Sequence, residues 1–217
     1  MLHSVGHGNL GDNDSLHSSW LMDTSLFRSI NRFADRTVWA HGFFKAYAGY
    51  GIVLFAGLLI VSYLDGRRHG DLRAVAATVW TGAATLIALG IGQVIGGAVD
   101  RARPYTALSG VHVLVDRTSD FSFPSDHATA VGAVAAGLLI ANRRWGIVAT
   151  VLAILMAFTR VYVGAHYPGD VVAGLALGAL VALAGQLVVI PQLTRFVDWL
   201  SRTTLKPLVT SGRPPQP

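Results

Sequence analysis

Two long runs of the chain carry no charge at all. Ala46 to Leu64 is uncharged over 19 residues and Ala74 to Val99 over 26. Helices of that length cross the roughly 30 Å hydrocarbon core of a bilayer. Composition agrees: 52% of the residues are apolar, only 13% are charged, and the mean hydropathy is +0.49. That is a membrane protein's balance rather than a soluble domain's. Three further apolar runs follow: His127 to Asn142, Trp145 to Thr159 and Val171 to Ile190. The third and fourth of the five runs are short for a span, and are expected to extend into the polar residues beside them. Gly90, Gly92, Gly96 and Gly97 are small residues that let helices approach closely.

Ahead of these runs, Asp23 to Trp39 places Leu26, Phe27, Ile30, Phe33, Ala34 and Val38 at helical spacing, with Arg28, Arg32 and Arg36 on another face. This pattern predicts an amphipathic helix in the membrane interface. The fold class expected is all-α: a polytopic membrane helical bundle of about five to six transmembrane helices, counting the N-terminal interfacial one. Residues 1–21 are polar, without Lys or Arg, and lack the basic start and apolar centre of a signal peptide. They read as a disordered tail, with Met22 an alternative natural start. Residues 22–190 form one membrane domain. Residues 191–217, with Arg195, Arg202, Lys206 and Arg213 and a proline-rich end, read as a cytoplasmic tail.

The short connecting loops at 65–73 and 142–144 are both basic, which places them and the C-terminus in the cytoplasm. The polar segments at 100–126 and 160–170 then share the extracytoplasmic face of a multi-pass cell-membrane protein. The sequence pI is near 10.0 and the formal charge is +5, but the basic residues are scattered, which argues against nucleic acid. Membrane lipids and an anionic substrate fit better. There are no cysteines, so disulfides and thiolate metal sites are excluded. The histidines lack zinc-ligand spacing, and no metal or cofactor is expected.

Three polar clusters meet on the shared face: Arg101-Ala-Arg103-Pro104, Phe121-Ser-Phe-Pro124-Ser125-Asp126-His127, and Arg160 through His166 to Asp170. Arg103 and Arg160 are permanently charged planar donors suited to phosphate oxygens. Ser125 to His127 open a helix, whose free N–H groups and dipole favour an anion, and Ser125 adds a hydroxyl. His166 has a carboxylate four residues on, at Asp170, to fix its tautomer and raise its basicity. That favours His166 as the nucleophile on phosphorus. His127 is then the general acid for the leaving oxygen. Each residue also has an ordinary reading: a snorkelling arginine, a helix cap, a hydrogen-bonded loop histidine. Their convergence on one face is what points to phosphate ester or diphosphate hydrolysis through a phosphohistidine.

Arg103-Pro104, Pro124-Ser125-Asp126-His127 and Arg160-x5-His166-x3-Asp170 resemble the three signatures of the type 2 phosphatidic acid phosphatase (PAP2) superfamily, over roughly residues 25–190. The resemblance implies a helical bundle and metal-independent hydrolysis of a lipid phosphate. It implies His166 as nucleophile, Asp170 as its orienting group and His127 as general acid, with Arg103, Ser125 and Arg160 holding the phosphate. Three positions depart from the pattern. The lysine of the first signature falls at Gly96, so that contact is missing or supplied by Arg101. Asp126 stands where the family has glycine, and Thr159 where it has serine. The form Ser-Phe-Pro-Ser-Asp-His, with Arg-Pro lacking the upstream lysine, is similar to the bacterial undecaprenyl-diphosphatase branch of BcrC type, as is Phe27-Arg-Ser-Ile-Asn31. Asp126 either raises the pKa of the neighbouring acid or helps to bind a diphosphate-linked group. The resemblance thus implies hydrolysis of undecaprenyl diphosphate to undecaprenyl phosphate and phosphate, recycling a carrier for cell-wall polymers such as peptidoglycan. The alternatives are a phosphatase for phosphatidylglycerophosphate, phosphatidate or another lipid phosphate, and a non-enzymatic anion-binding transporter or subunit.

Overall fold

A computed structural model describes residues 10–211, and they are helical almost throughout. The elements are α1 (Leu10–Arg36), α2 (His41–His69), α3 (Leu72–Val99), α4 (Pro104–Ala107), α5 (Asp126–Ala141), α6 (Arg143–Tyr162), α7 (Pro168–Ser201) and α8 (Lys206–Val209), with one 3-10 turn at Val38–Ala40. Among the described residues, four helical stretches are long and apolar enough to cross a membrane: 38–69, 72–107, 143–162 and 168–186. The fifth expected span, α5, has only 16 residues and falls short of that length. The outward faces of the four carry Leu86, Val94, Val151, Ile154, Val172 and Leu180, all exposed. In water such a surface would be an aggregation hazard, whereas lipid tails are as apolar as these side chains.

Helix α5 compensates for its length by being central. It packs against α3, α6 and α7, and Ala128 to Ala135 are buried without a break. Ala and Gly dominate it, so its neighbours come close. A Cβ on Gly132 would lie 2.6 Å from the Leu175 carbonyl oxygen, and one on Gly174 2.6 Å from that of Ser125. Gly178 sits closer still on the Thr129 carbonyl. The α5–α7 interface is therefore a seam in which backbone touches backbone.

Both chain ends differ from expectation. Residues 10–21, read as part of a disordered tail, are the first turns of α1; residues 1–9 lie outside the described residues. Trp20 stacks over the Arg101 guanidinium at 4.4 Å, so packing rather than local propensity carries the helix outward from the body. At the other end, α7 continues through Pro191 to Ser201. Proline removes one backbone bond there, but Val197 and α8's Val209 are buried against Val75 and Ala76 of α3. The stretch 191–209 is thus docked helix rather than a tail.

The N-terminal helix buries Phe27 and Ala34 and exposes Arg28, Arg32 and Arg36, as the spacing leads one to expect, but Leu26, Phe33 and Val38 of the expected apolar face are exposed too. Its partners are α6 and α7. Asn31, only 6% exposed, accepts from the His112 amide at 2.9 Å and donates to the His112 carbonyl at 2.8 Å. This single side chain substitutes for a strand partner and ties the long 100–125 segment to α1.

Candidate active site

All three polar clusters converge at one end of the bundle. The short turn between α6 and α7 presents His166. The amides of Ala165 and His166 both donate to the Arg160 carbonyl, at 3.1 and 3.3 Å. Gly164 turns the chain with a positive φ of 81°, and a Cβ there would press on the His112 carbonyl. Helix α7 then starts at Pro168, the position a proline tolerates best.

His166 is almost fully buried. Its Nδ1 lies 2.7 Å from the Ser122 carbonyl oxygen. A carbonyl only accepts, so Nδ1 carries the proton and Nε2 keeps its lone pair. Arg103 Nη1 donates to that Nε2 at 3.0 Å. Burial pushes the imidazole pKa down to about 4; the nearby Asp170 carboxylate opposes this, while Arg160 and Arg103 add to it. The ring is therefore neutral at physiological pH, with its one in-plane lone pair at Nε2 met by Arg103; an unprotonated Nε2 is the form a nucleophile needs.

Asp170 does not hold the imidazole directly. Its Oδ2 is 3.8 Å from Nδ1, beyond a normal hydrogen bond, and acts there as a nearby charge. Its strong partners are elsewhere. Oδ2 accepts from Ser122 Oγ at 2.5 Å and from the Tyr167 amide at 2.9 Å. Oδ1 accepts from Arg101 Nη1 at 2.6 Å. Asp170 thus fixes Ser122, and Ser122 fixes the tautomer. This indirect geometry corrects the direct pairing expected from the four-residue spacing.

Arg101 belongs to that support and not to a phosphate pocket. Its other end pairs with Asp23 of α1 at 2.7 Å. With two carboxylates on it, and the rings of Trp20 and Tyr167 stacked over it, its charge is already neutralised by the chain. The missing family lysine is therefore not replaced by Arg101. Position 96 has no room for one, since a Cβ on Gly96 would lie 3.0 Å from the Phe123 carbonyl and 3.3 Å from the Phe121 ring.

On the other side of His166 lies a cavity of about 650 Å³. Arg103, His127, Arg160 and His166 border it, with Asp120, Asp126, Tyr105 and, from α2, Lys45. Arg103 forms a two-point pair with Asp120, Nε and Nη2 donating at 3.0 Å each. Partial burial pushes the Asp120 carboxyl up, but hydrogen bonds from Thr118 and Arg103 outweigh it and hold the group below the usual carboxylate range. Arg160 is different. It is 8% exposed, its Nε is buried without a partner, and no carboxylate pairs with it among the described residues. A buried unpaired charge is costly unless something arrives to neutralise it. His127 likewise borders the cavity with its ring unbonded among the described residues.

Two expected phosphate contacts are placed differently. Ser125 is fully buried, caps α5 by accepting from the Ala128 amide, and does not border the cavity. Asp126 does border it, but its carboxylate accepts two hydrogen bonds from Gln93, at 3.0 and 2.9 Å. An ionised carboxylate has no donor to offer a phosphate, so neither residue is a phosphate ligand in this geometry. Ser122, Asp120 and Lys45 are the members that sequence reasoning missed. Ser122 and Asp120 lie in an irregular loop where no periodicity marks a facing side. Lys45 carried one signal, as the charge that ends the uncharged run from Ala46.

A helical membrane bundle with a buried neutral histidine beside a buried arginine that pairs with no carboxylate among the described residues points to a class. The family model described as the PAP2 superfamily matches residues 76–192, more than half of the chain, and the chain belongs to that superfamily. It is 29% identical over 160 residues to the undecaprenyl-diphosphatase BcrC of Bacillus subtilis (strain 168), covering 74% of this chain and 80% of that protein. Its fold is similar to that of Aquifex aeolicus LpxE (TM-score 0.58, 24% identity, 75% of this chain and 93% of that one). It is also similar to that of the PAP2-type phosphatidylglycerolphosphate phosphatase from Bacillus subtilis (TM-score 0.54, 20% identity, 87% and 96%).

Proposed function

We propose that this chain is an integral membrane lipid phosphatase that hydrolyses undecaprenyl diphosphate to undecaprenyl phosphate and phosphate. The observation that carries the phosphate chemistry is Arg160, a buried guanidinium without a carboxylate partner among the described residues, in a cavity shared with Arg103, His127 and the unprotonated Nε2 of His166. The similarity to BcrC over most of both chains supports the polyprenyl diphosphate as substrate. Arg160 and Arg103 bind the terminal phosphoryl oxygens, and Arg103 releases Nε2 as it turns to the phosphate. Nε2 attacks phosphorus, a P–N bond forms, and the bridging P–O bond breaks. Burial first, and Arg160 next, hold the His127 pKa down to about 3; with the phosphate anion bound beside it the ring takes up a proton from solvent and donates it to the departing oxygen. Water then attacks the phosphohistidine, giving its proton to His127, and phosphate leaves. The chemistry needs no metal ion. The cavity opens on the extracytoplasmic face of a multi-pass cell-membrane protein, as the basic loops at 65–73 and 142–144 indicate.

The test is purified protein in detergent with a panel of polyprenyl diphosphate, phosphatidylglycerophosphate, phosphatidate and lipid A-type phosphates, compared by kcat/KM. Polyprenyl diphosphate is expected to lead, with activity unchanged by EDTA. A lead for phosphatidylglycerophosphate would move the substrate assignment. Loss of activity with EDTA would overturn the metal-free mechanism. Full activity in His166→Ala would overturn the phosphohistidine.

A further inference from the structure

Asp23 lies in α1, far in sequence from the signature residues, yet it meets two of the segments that carry them. Its Oδ2 accepts from Arg101 Nη2 at 2.7 Å. Its Oδ1 accepts from the Gly169 amide at 2.7 Å, one residue before Asp170 and within the first turn of α7. The pocket around it is tight. Asp23 and Arg101 side chains are 14% and 9% exposed, and a Cβ on Gly169 would lie 3.0 Å from Asp23 Oδ2. From there the hydrogen bonds continue without a gap: Arg101 to Asp170 at 2.6 Å, Ser122 Oγ to Asp170 at 2.5 Å, and His166 Nδ1 to the Ser122 carbonyl at 2.7 Å.

We propose that Asp23 is a positioning residue for catalysis: α1, through this carboxylate, sets Arg101 and the start of α7, and so fixes the Asp170–Ser122 pair that orients His166. Arg101 has two ends, and only one reaches Asp170. Without Asp23, the guanidinium is free to recentre, and the Gly169 amide at the mouth of α7 loses its acceptor. Both changes act on Asp170 and neither touches the phosphate cavity. An amphipathic helix at the edge of the bundle thus becomes part of the catalytic apparatus, although it contributes no group that meets the substrate. The inference rests on the proposed lipid-phosphate hydrolysis for its readout.

The experiment is a double-mutant cycle on purified full-length protein, with undecaprenyl diphosphate as substrate and thermal unfolding recorded alongside. Asp23→Asn and Asp23→Ala are combined with Asp170→Asn. Displacements of this kind lower rates by about 10- to 100-fold. The expected result is a kcat lowered by that amount with KM nearly unchanged, recovered in part by Asp23→Glu. In the Asp170→Asn background the Asp23 substitutions should add almost nothing, because they act through the group already removed. Gly169→Ala, which crowds Asp23 without altering any charge, should lower kcat several-fold in the same sense. Should Asp23→Ala fail to fold, Asp23→Asn carries the test. Equal multiplicative losses in both backgrounds, or a lowered melting temperature with kcat intact, would overturn the proposal. If wild type itself releases no phosphate from any lipid in the panel, it is the proposed function that fails.

Discussion

Arg101 and Arg160 both bear on His166, one through Asp170 and the other from the cavity, and both guanidinium groups are buried, but their surroundings are opposite. Arg101 has a carboxylate at each end and two aromatic rings over its plane. Among the described residues Arg160 has no partner carboxylate, and it borders the cavity. Arginines at one end of the bundle can thus serve different purposes. A guanidinium whose charge is neutralised by the chain's own carboxylates holds the scaffold. One whose charge is left over waits for an anion. Arg103 stands between the two, tied to Asp120 on its outer side and to His166 Nε2 on its inner side. What decides a role here is the inventory of ion pairs rather than the residue type.

That contrast can be broken by substitution, and His166 gives the largest effect. His166→Ala should lower kcat by at least about four orders of magnitude, with no acid-labile phosphoprotein in a rapid quench. Removing the open arginine comes next. Arg160→Met should lower kcat/KM by about 10²- to 10³-fold while leaving the melting temperature equal or higher, since it deletes a buried unpaired charge. Arg101→Met should lower both, because it strands the Asp23 and Asp170 carboxylates. A fall in melting temperature for Arg160→Met, with Arg101→Met neutral, would reverse the assignment. The third check uses ligand instead of mutation. Vanadate or phosphate at 100 times its Kd should stabilise wild type by about 2.7 kcal/mol and give no shift in Arg160→Met.

The pH dependence tests the neutral imidazole. Activity requires unprotonated Nε2, and a pKa of about 4 in place of 6.5 keeps it unprotonated well below neutrality. The enzyme-borne acid limb of kcat/KM should therefore lie near pH 4, and an acid limb near 6.5 would contradict the burial of His166. The smallest effect is expected at Asp120. Asp120→Asn frees Arg103 from a half-exposed pair worth about 0.2–1 kcal/mol, so inorganic phosphate should inhibit more strongly, by up to about five-fold.

Much of this could be read before any coordinates. Uncharged runs located the membrane helices, and the amphipathic stretch from Asp23 located the buried face of α1 at Phe27 and Ala34. Arg103, His127, Arg160 and His166 were recognisable from residue chemistry, and they do meet. The limits have physical causes. Spacing brings Asp170 near His166 but cannot show that a loop carbonyl, Ser122, takes the hydrogen bond. Arg101 and Arg103 are indistinguishable as letters, and only the packing of α1 separates them. Asp120 and Lys45 reach the cavity from an irregular loop and from a different helix, where no sequence period applies. The ends of α1 and α7 were read as tails because polar composition and a proline weaken local helix preference, whereas tertiary contacts at Trp20 and Val209 outweigh it.

The backbone seam between α5 and α7 has a consequence for evolution. His127 rides on one of these helices and Asp170 on the other, so their separation is gauged by what Gly132, Gly174 and Gly178 lack. A gauge made of absent atoms can err in only one direction: any substitution thickens it. Along most of α5 the sequence can drift among small apolar residues, but at these three positions a single added methyl group acts as a shim, spreading the two halves of the site without altering any residue that performs chemistry.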